Sequence, residues 1–315
     1  MTMRQYNQRV LLWLFAIFFG LGCFNWLIDP FERNGYLDVG LPKESISPIL
    51  SYQMYKIMLF DRNTAPNLVL GDSRSLALKE EYFAAQGVGN IFNFAYGGGT
   101  LYEAIDTFWY ATEKTSIGGV ILGVPFSTFN EHASTNRFAT AREVAKNPLS
   151  YYLSPLVTKA SAMTLLTGLT GHEFVTDRPD MSRAEFWAYQ LGPGSDRYYS
   201  TWKQPDVLWT RLKQMVDYCA EENIELVFYI PPSHTDQQAL LDDYDLRAEF
   251  LRYKQQLARL GRVVDYDVPS AMTRNRENFL DPHHCTDEVA RTIVAEIVDQ
   301  LQMPNPAKDS VGSSH

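Results

Sequence analysis

The sequence is short of basic charge and of cysteine, and each shortage excludes a class of protein. Its 315 residues include 28 lysines and arginines against 37 aspartates and glutamates, with no basic stripe. Nucleic-acid binding depends on clustered Lys and Arg that neutralise phosphates, so we expect no nucleic-acid partner. Three cysteines do not make a disulfide framework. Cys219 and Cys285 could pair in an oxidising compartment, but two unrelated cysteines are the simpler interpretation.

Only the N-terminus carries an apolar run long enough to cross a membrane. Residues 10–28 read VLLWLFAIFFGLGCFNWLI, and as a helix they would span roughly 28 Å, close to the thickness of a bilayer's hydrocarbon core. Two arginines precede the run and two acidic residues follow it. The positive-inside rule then leaves a short N-terminus in the cytoplasm. We therefore predict a signal anchor over residues 1–30, single-pass in a bacterial inner membrane, with the remainder in the periplasm.

Three alternatives to an anchor remain open. A cleaved signal peptide could use Gly20-Leu21-Gly22 as its small-residue site, although the apolar residues continue to Ile28. Lipidation at Cys23 is disfavoured, because Gly20 stands where such sites usually carry a large aliphatic residue. A buried core helix is disfavoured by the polar stretch that comes directly after the run.

Beyond this run, short apolar stretches alternate with amphipathic ones. The apolar stretches fall at residues 67–72, 90–96, 118–126, 224–232 and 262–268. Strands without polar alternation are buried on both faces, and helices between them imply a parallel sheet. We predict an α/β fold, a doubly wound, flavodoxin-like five-stranded parallel sheet over residues 65–302. A linker and entry segment over 31–64 would lead into it, and a disordered tail over 303–315 would follow it.

The alternation breaks between about residues 127 and 205. This stretch has helical patches but no obvious strand, and we interpret it as a mostly helical insertion at the carboxyl end of the third strand. It could cover a site as a lid, and its aromatic residues could form a substrate platform or a small satellite core. Those aromatic residues are Tyr151, Tyr152, Phe186, Trp187, Tyr198 and Tyr199.

Three short motifs carry candidate chemistry. Ser73 follows the first apolar stretch in VLGDSRSLAL, where it could cap a helix or act as a nucleophile. It does not lie in the elbow of α/β-hydrolases, because Ser75 stands where that motif needs glycine. The glycines of NFAYGGGT, residues 93–100, can bring backbone N–H groups towards a ligand.

The third motif is DPHHC, just before the last amphipathic stretch. Asp281 and His284 are three residues apart, so the carboxylate could orient the imidazole as a base for a serine hydroxyl. A metal site is the alternative, but the chain offers no second cluster of His or Cys to complete it. His283 and His284 could also be exposed loop residues. We expect neither a metal nor a cofactor.

The order of the three motifs resembles that of the SGNH hydrolase superfamily, the GDSL-type esterases, over about residues 65–302. The resemblance implies that Ser73 is the nucleophile and that Asp281 and His284 complete a triad, whereas His283 does not match. It also implies an oxyanion hole formed by the N–H groups of Ser73 and of Gly98, which stands five residues after Asn93.

The chain departs from this pattern at two positions. Arg74 replaces the usual leucine, as in membrane-anchored relatives that modify cell-surface polymers. The motif Gly-x-Asn-Asp reads GVPF, so Pro125 replaces the asparagine that lends a side-chain donor to the oxyanion hole. Ser127, Asn130 or a residue of the insertion could substitute. Losing one such donor typically costs about 10²–10³ in rate.

Together these features resemble the proteins that O-acetylate alginate and similar exopolysaccharides, or that assist D-alanylation of teichoic acids. The resemblance implies a periplasmic enzyme that transfers an acyl group to or from an acylated glycan, with a multi-spanning membrane acyltransferase as partner. A simple esterase or deacetylase is one alternative. A non-catalytic accessory that holds a membrane acyltransferase or a polysaccharide is another.

Overall fold

The computed structural model describes residues 2–35, 40–176 and 180–301; the tail expected over 303–315 lies outside them. The chain divides into two compact units. The helical unit comprises residues 1–63 and 137–179, and the α/β unit comprises residues 64–136 and 180–315.

The α/β unit is built on the predicted parallel sheet. Its five strands are β1 (Asn67–Leu70), β2 (Ile91–Asn93), β3 (Gly119–Gly123), β4 (Glu225–Ile230) and β5 (Arg262–Asp265). All neighbouring pairs are parallel, and the order is β2-β1-β3-β4-β5. This is the flavodoxin-like order, so the predicted fold class is confirmed. A short antiparallel pair, β6 (Phe279–Asp281) and β7 (His284–Cys285), lies apart from the sheet.

Helices cover both faces of the sheet, which explains why its strands read as continuous apolar runs. In chain order, the helices of this unit are α4 (Ser73–Leu76), α5 (Glu80–Ala85), α6 (Leu101–Thr112), α10 (Arg183–Leu191), α11 (Pro193–Tyr199), α12 (Asp206–Glu221), α13 (Thr235–Asp243), α14 (Arg247–Leu260), α15 (Ala271–Arg274) and α16 (Asp287–Leu301). On one face, Val69, Ile121 and Val227 share a buried cluster with residues of α5 and α16. Alternate strand residues point to the other face, where α6 contacts β1 and α12 contacts β4.

The helical unit contains α1 (Met3–Ile28), α2 (Lys43–Leu50), α3 (Tyr52–Arg62), α7 (Arg137–Lys146), α8 (Pro148–Tyr152) and α9 (Pro155–Thr170). In the segment 31–64, expected as a linker and entry segment, the described residues form the helices α2 and α3, and α3 buries Met54, Ile57 and Phe60. The stretch expected as one insertion over 127–205 divides between the units, because α7–α9 belong to the helical unit whereas α10 and α11 belong to the α/β unit.

Among the described residues, α1 is the one helix long and apolar enough to cross a membrane, with a mean hydropathy of 2.1 over its best window. Every residue of α1 from Met3 to Gly20 is exposed. Its last turn differs, because Asn25 and Ile28 are buried in the helical unit. The Nδ2 group of Asn25 donates to Tyr152 O at 2.7 Å and to Thr158 Oγ1 at 2.9 Å.

Candidate active site

Ser73 lies at the carboxyl end of the sheet, where β1 passes into α4. Asp72 caps this short helix, and its Oδ1 accepts a hydrogen bond from Arg74 N at 3.0 Å. Gly71 has a φ of +141°, and a Cβ atom there would collide with the Ser75 side chain and approach Gly123 of β3 to 3.2 Å. Glycine is therefore required at the bend that delivers Ser73 to the sheet edge.

Ser73, His284 and Asp281 form one chain of hydrogen bonds, although Ser73 and His284 stand 211 residues apart. Ser73 Oγ lies 2.7 Å from His284 Nε2, and His284 Nδ1 lies 2.7 Å from Asp281 Oδ2. With the proton on Nδ1 donated to the carboxylate, Nε2 accepts the hydrogen bond from the Ser73 hydroxyl. This is the geometry of a Ser-His-Asp triad, in which the imidazole can remove the serine proton.

The β6–β7 hairpin fixes the acidic end of this chain. Asp281 Oδ1 accepts hydrogen bonds from His283 N at 2.8 Å and from His284 N at 3.2 Å. Burial works to raise the pKa of the Asp281 carboxyl, but the hydrogen bond and the charge of His284 outweigh it and lower the pKa below its ordinary value. Asp281 therefore remains a carboxylate at neutral pH and can stabilise a charged His284.

A cavity of about 400 Å³ opens beside Ser73 and His284. All of its lining residues belong to the α/β unit. The loop after β2 contributes Gly98, Gly99 and Thr100, and the loop after β3 contributes Ser127, Thr128 and Asn130. Gln190, Arg197 and Tyr198 come from the region of α10 and α11. Part of the expected insertion therefore does form a wall of the site.

The side chain of Asn93, in the second motif, binds backbone atoms of the first motif. In the sequence, Asn93 served only as the position from which Gly98 is counted. Asn93 Nδ2 donates to Ser75 O at 2.9 Å and to Leu78 O at 2.8 Å, so β2 holds α4 in place. Gly98 has a φ of +59° and lines the cavity. At Gly99 a Cβ atom would lie 2.9 Å from Gly71 O, so this loop passes directly against the bend before Ser73.

Asn130 lines the cavity but uses its carboxamide to join the cavity walls. Its Nδ2 group donates to Tyr198 O at 3.0 Å, and its Oδ1 accepts from His132 N at 3.1 Å and Lys203 N at 3.3 Å. These bonds tie the loop after β3 to α11 and the segment after it. These contacts make Asn130 a structural link, and since the described residues use only one of the two Nδ2 hydrogens, its role as an oxyanion donor stays a prediction.

Arg74 places a fixed cation next to the nucleophile. Its Nε and Nη2 groups donate to Asp72 Oδ2 at 2.9 and 2.6 Å, and Nη2 also donates to Ser127 Oγ at 2.9 Å. Burial works to lower the pKa of Arg74, but the Asp72 carboxylate outweighs it and raises the pKa, so the guanidinium stays charged. In the sequence, Arg74 stood out only because the SGNH motif usually has leucine after its serine.

His283 is a buried neutral histidine in the cavity wall. Its side chain is nearly inaccessible, and its Nε2 has no hydrogen-bond partner among the described residues. Burial, together with the charges of Arg74 and His284, lowers the pKa of His283 to about 3. The motif left His283 unmatched, and the alternative of an exposed loop residue is wrong for it, because its side chain is buried.

This burial predicts a pH-dependent stability. Below pH ~6.5 the unfolded chain binds a proton at His283, whereas the folded chain does so only near pH 3. The free energy of unfolding must therefore fall as the pH falls through this window. We expect His283→Asn to reduce that slope by about 1 kcal/mol per pH unit between pH 6 and 4.5. Urea unfolding of the detergent-solubilised chain measures the slope, and an equal slope in both proteins would contradict the lowered pKa.

Within residues 2–35, 40–176 and 180–301, no group of three or more His, Cys, Asp or Glu side chains is placed to hold a metal ion. Cys219 and Cys285 are both buried free thiols. Burial raises the pKa of each thiol to about 12, which keeps both protonated and unreactive.

Known proteins provide only a distant comparison. No family model and no curated protein matches the sequence. Solved structures with similarity to it include a GDSL-like lipase from Bacteroides thetaiotaomicron, at 12% identity over 81% of this chain and 98% of that chain, with a TM-score of 0.41. An acetyl xylan esterase shares 12% identity over 75% of this chain and 99% of that one, with a TM-score of 0.30. At such TM-scores, function has to be argued from the site.

Proposed function

We propose that the protein is a serine acyl-ester enzyme of SGNH type that works through an acyl-enzyme at Ser73. The observation that carries the proposal is the unbroken hydrogen-bond chain from Ser73 Oγ through His284 to Asp281, at the edge of a cavity. An isolated serine hydroxyl is a poor nucleophile, and a base at 2.7 Å that is itself oriented by a carboxylate removes that limitation.

The reaction has two stages. Ser73 Oγ attacks the ester carbonyl while His284 Nε2 takes its proton, and Asp281 stabilises the imidazolium. The C–O bond to the leaving alcohol then breaks, and His284 returns the proton to that alcohol. In the second stage His284 takes a proton from water or from a sugar hydroxyl, whose oxygen attacks the acyl carbon. The bond from that carbon to Ser73 Oγ breaks, and His284 returns the proton to Ser73 Oγ. Backbone N–H groups of Ser73 and Gly98 are assigned to the oxyanion at both stages.

We further propose that α1 anchors the chain in a bacterial inner membrane, with the α/β unit in the periplasm. The charge asymmetry around α1 and its exposed apolar surface support this orientation. Cleavage at residues 20–22 is disfavoured, because it would cut directly before the turn whose Asn25 and Ile28 are buried in the helical unit. N-terminal sequencing of the purified chain tests this, and a mature N-terminus near Cys23 would contradict it.

The substrate proposed is an acylated exported glycan, with a multi-spanning acyltransferase as partner. Support comes from the resemblance to membrane-anchored SGNH proteins and from the position of Arg74 in the first motif. Incubation of the full chain in detergent with an activated acetyl ester tests the reaction, with and without an oligosaccharide acceptor. We expect acetyl release in both cases and acetylated sugar in the second. Release without any transfer to sugars would instead support the simple esterase or deacetylase.

One observation favours a second candidate, a non-catalytic accessory that binds a glycan or a membrane acyltransferase. Pro125 occupies the position of the side-chain oxyanion donor and carries neither a side-chain donor nor an N–H group. An accessory needs no reactive serine, so the two candidates predict different outcomes in cells when Ser73 is substituted.

A further inference from the structure

The loop after β3 carries the hydroxyl of Ser127, two residues after Pro125, which offers no hydrogen-bond donor of its own. Pro125 opens a single 3-10 turn, Phe126–Thr128, and Ser127 lies in its middle. Ser127 is only 3% exposed, yet it lines the same cavity as Ser73, Gly98 and His284. The carboxyl ends of β1 and β3 are adjacent in the sheet, which is why Ser73 and Ser127 line one cavity.

The hydrogen bonds around Ser127 determine the role its hydroxyl can play. Ser127 Oγ accepts a hydrogen bond from Arg74 Nη2 at 2.9 Å. Within the part of the chain that the structure describes, no residue accepts the proton of this hydroxyl. The hydroxyl can therefore donate to a group in the cavity. A charged donor on its oxygen polarises the O–H bond and strengthens it as a donor.

Arg74 is held so that this polarisation is permanent. Two of its nitrogens bind Asp72 Oδ2, and Asp72 is itself fixed by accepting the backbone N–H of Arg74. The side chains of Arg74 and Asp72 are only 12% and 7% exposed, so water screens the pair weakly. Preorganised dipoles of this kind stabilise developing charge without reorganising during the reaction.

We propose that the Ser127 hydroxyl, polarised by Arg74, is the side-chain donor of the oxyanion hole in place of the missing asparagine. The inference rests on the proposed acyl-enzyme at Ser73. Ser127 would contact the oxyanion, and Arg74 and Asp72 are positioning residues that act through it. The chain Asp72–Arg74–Ser127 also gives a reason for arginine directly after the nucleophile.

The first test is Ser127→Ala, assayed with an activated acetyl ester. We expect kcat/KM to fall by about 10²–10³, mainly through kcat, because the oxyanion forms only in the transition state. Ser127→Thr keeps the hydroxyl and should remain within a few-fold of the parent. Thr112→Ala removes a hydroxyl that bonds to Trp109 O in α6 and should have no effect. A kcat/KM for Ser127→Ala within threefold of the parent would overturn the inference.

A second substitution, at Arg74, tests whether Arg74 acts through Ser127 or whether activity is lost because folding is impaired. Arg74→Lys keeps the charge beside Asp72 but cannot bind Asp72 and Ser127 together through a planar fork. We expect it to lower kcat at least tenfold in the parent and to cost almost nothing more in the Ser127→Ala background. Additive losses would contradict action through Ser127.

Fluorophosphonate labelling of Ser73 distinguishes the two proposals. If the parent is not labelled, the acyl-enzyme itself is refuted. If the parent is labelled and the Ser127→Ala variant keeps the parent activity, only the role of Arg74 and Ser127 in the oxyanion hole is refuted.

Discussion

Ser73→Ala is expected to lower kcat for an activated acetyl ester by about 10⁴-fold or more, with KM little changed. The substitution removes the only atom that can carry the acyl group, while the cavity and the backbone donors remain. Steady-state hydrolysis by the full chain in detergent measures the effect. In cells, loss of polymer acylation with this variant supports the enzyme, and unchanged acylation supports the accessory.

A neighbouring serine provides the matched control. Ser75 lies in the same short helix and is fully buried, and no residue that the structure describes forms a hydrogen bond with its hydroxyl. Ser75→Ala should therefore leave kcat and KM as in the parent. Equal activity of the Ser73→Ala and Ser75→Ala variants would contradict a nucleophilic Ser73.

The second large effect is expected for Asp281→Asn, which should lower kcat by about 10⁴-fold at neutral pH. An amide cannot stabilise the imidazolium that forms on His284, and it permits the tautomer with the proton on Nε2. The pKa of the Asp281 carboxyl is already lowered, so in the parent this group is a carboxylate at neutral pH. The pH-rate profile of the variant is measured beside that of the parent.

Asp287→Asn is the control for this substitution. Asp287 begins α16 and pairs with Lys79 at 2.8 Å, but the two side chains are 59% and 44% exposed. Exposed pairs of this kind contribute little to stability, so activity should match the parent. If Asp281→Asn retained a tenth or more of the parent kcat, Asp281 would not be the partner of the catalytic base.

The sheet could be predicted because its strands leave a local pattern in the sequence, and the hydrogen-bonded chain of Ser73, His284 and Asp281 was expected from the resemblance to SGNH hydrolases. The β3 strand is buried at every position, so it appears as an uninterrupted apolar run. Ser73 directly follows β1, and Asp281 and His284 stand on one tight hairpin. Parallel strands end at one edge of the sheet, which places residues from distant segments together.

The features that the sequence did not reveal depend on contacts between segments that share no pattern. The hydrogen bond from Arg74 to Ser127 joins residues 53 positions apart, and although both positions stood out in the sequence, nothing there indicated that they pair. The structural role of Asn93 consists of bonds to backbone carbonyls, which any sequence could offer. Helix α3 lies in the segment expected as a linker and entry segment, and its packing depends on contacts with α2 and α7.

The most direct measurement is to trap the acyl-enzyme. The full chain is mixed with an activated acetyl ester, quenched in acid within the first turnover, digested and analysed by mass spectrometry. We expect one acetyl group per chain, located on the peptide that contains Ser73 and absent from the Ser73→Ala variant. An acetyl group on any other residue, or turnover of the ester without a modified Ser73, would contradict a serine acyl-enzyme at this site.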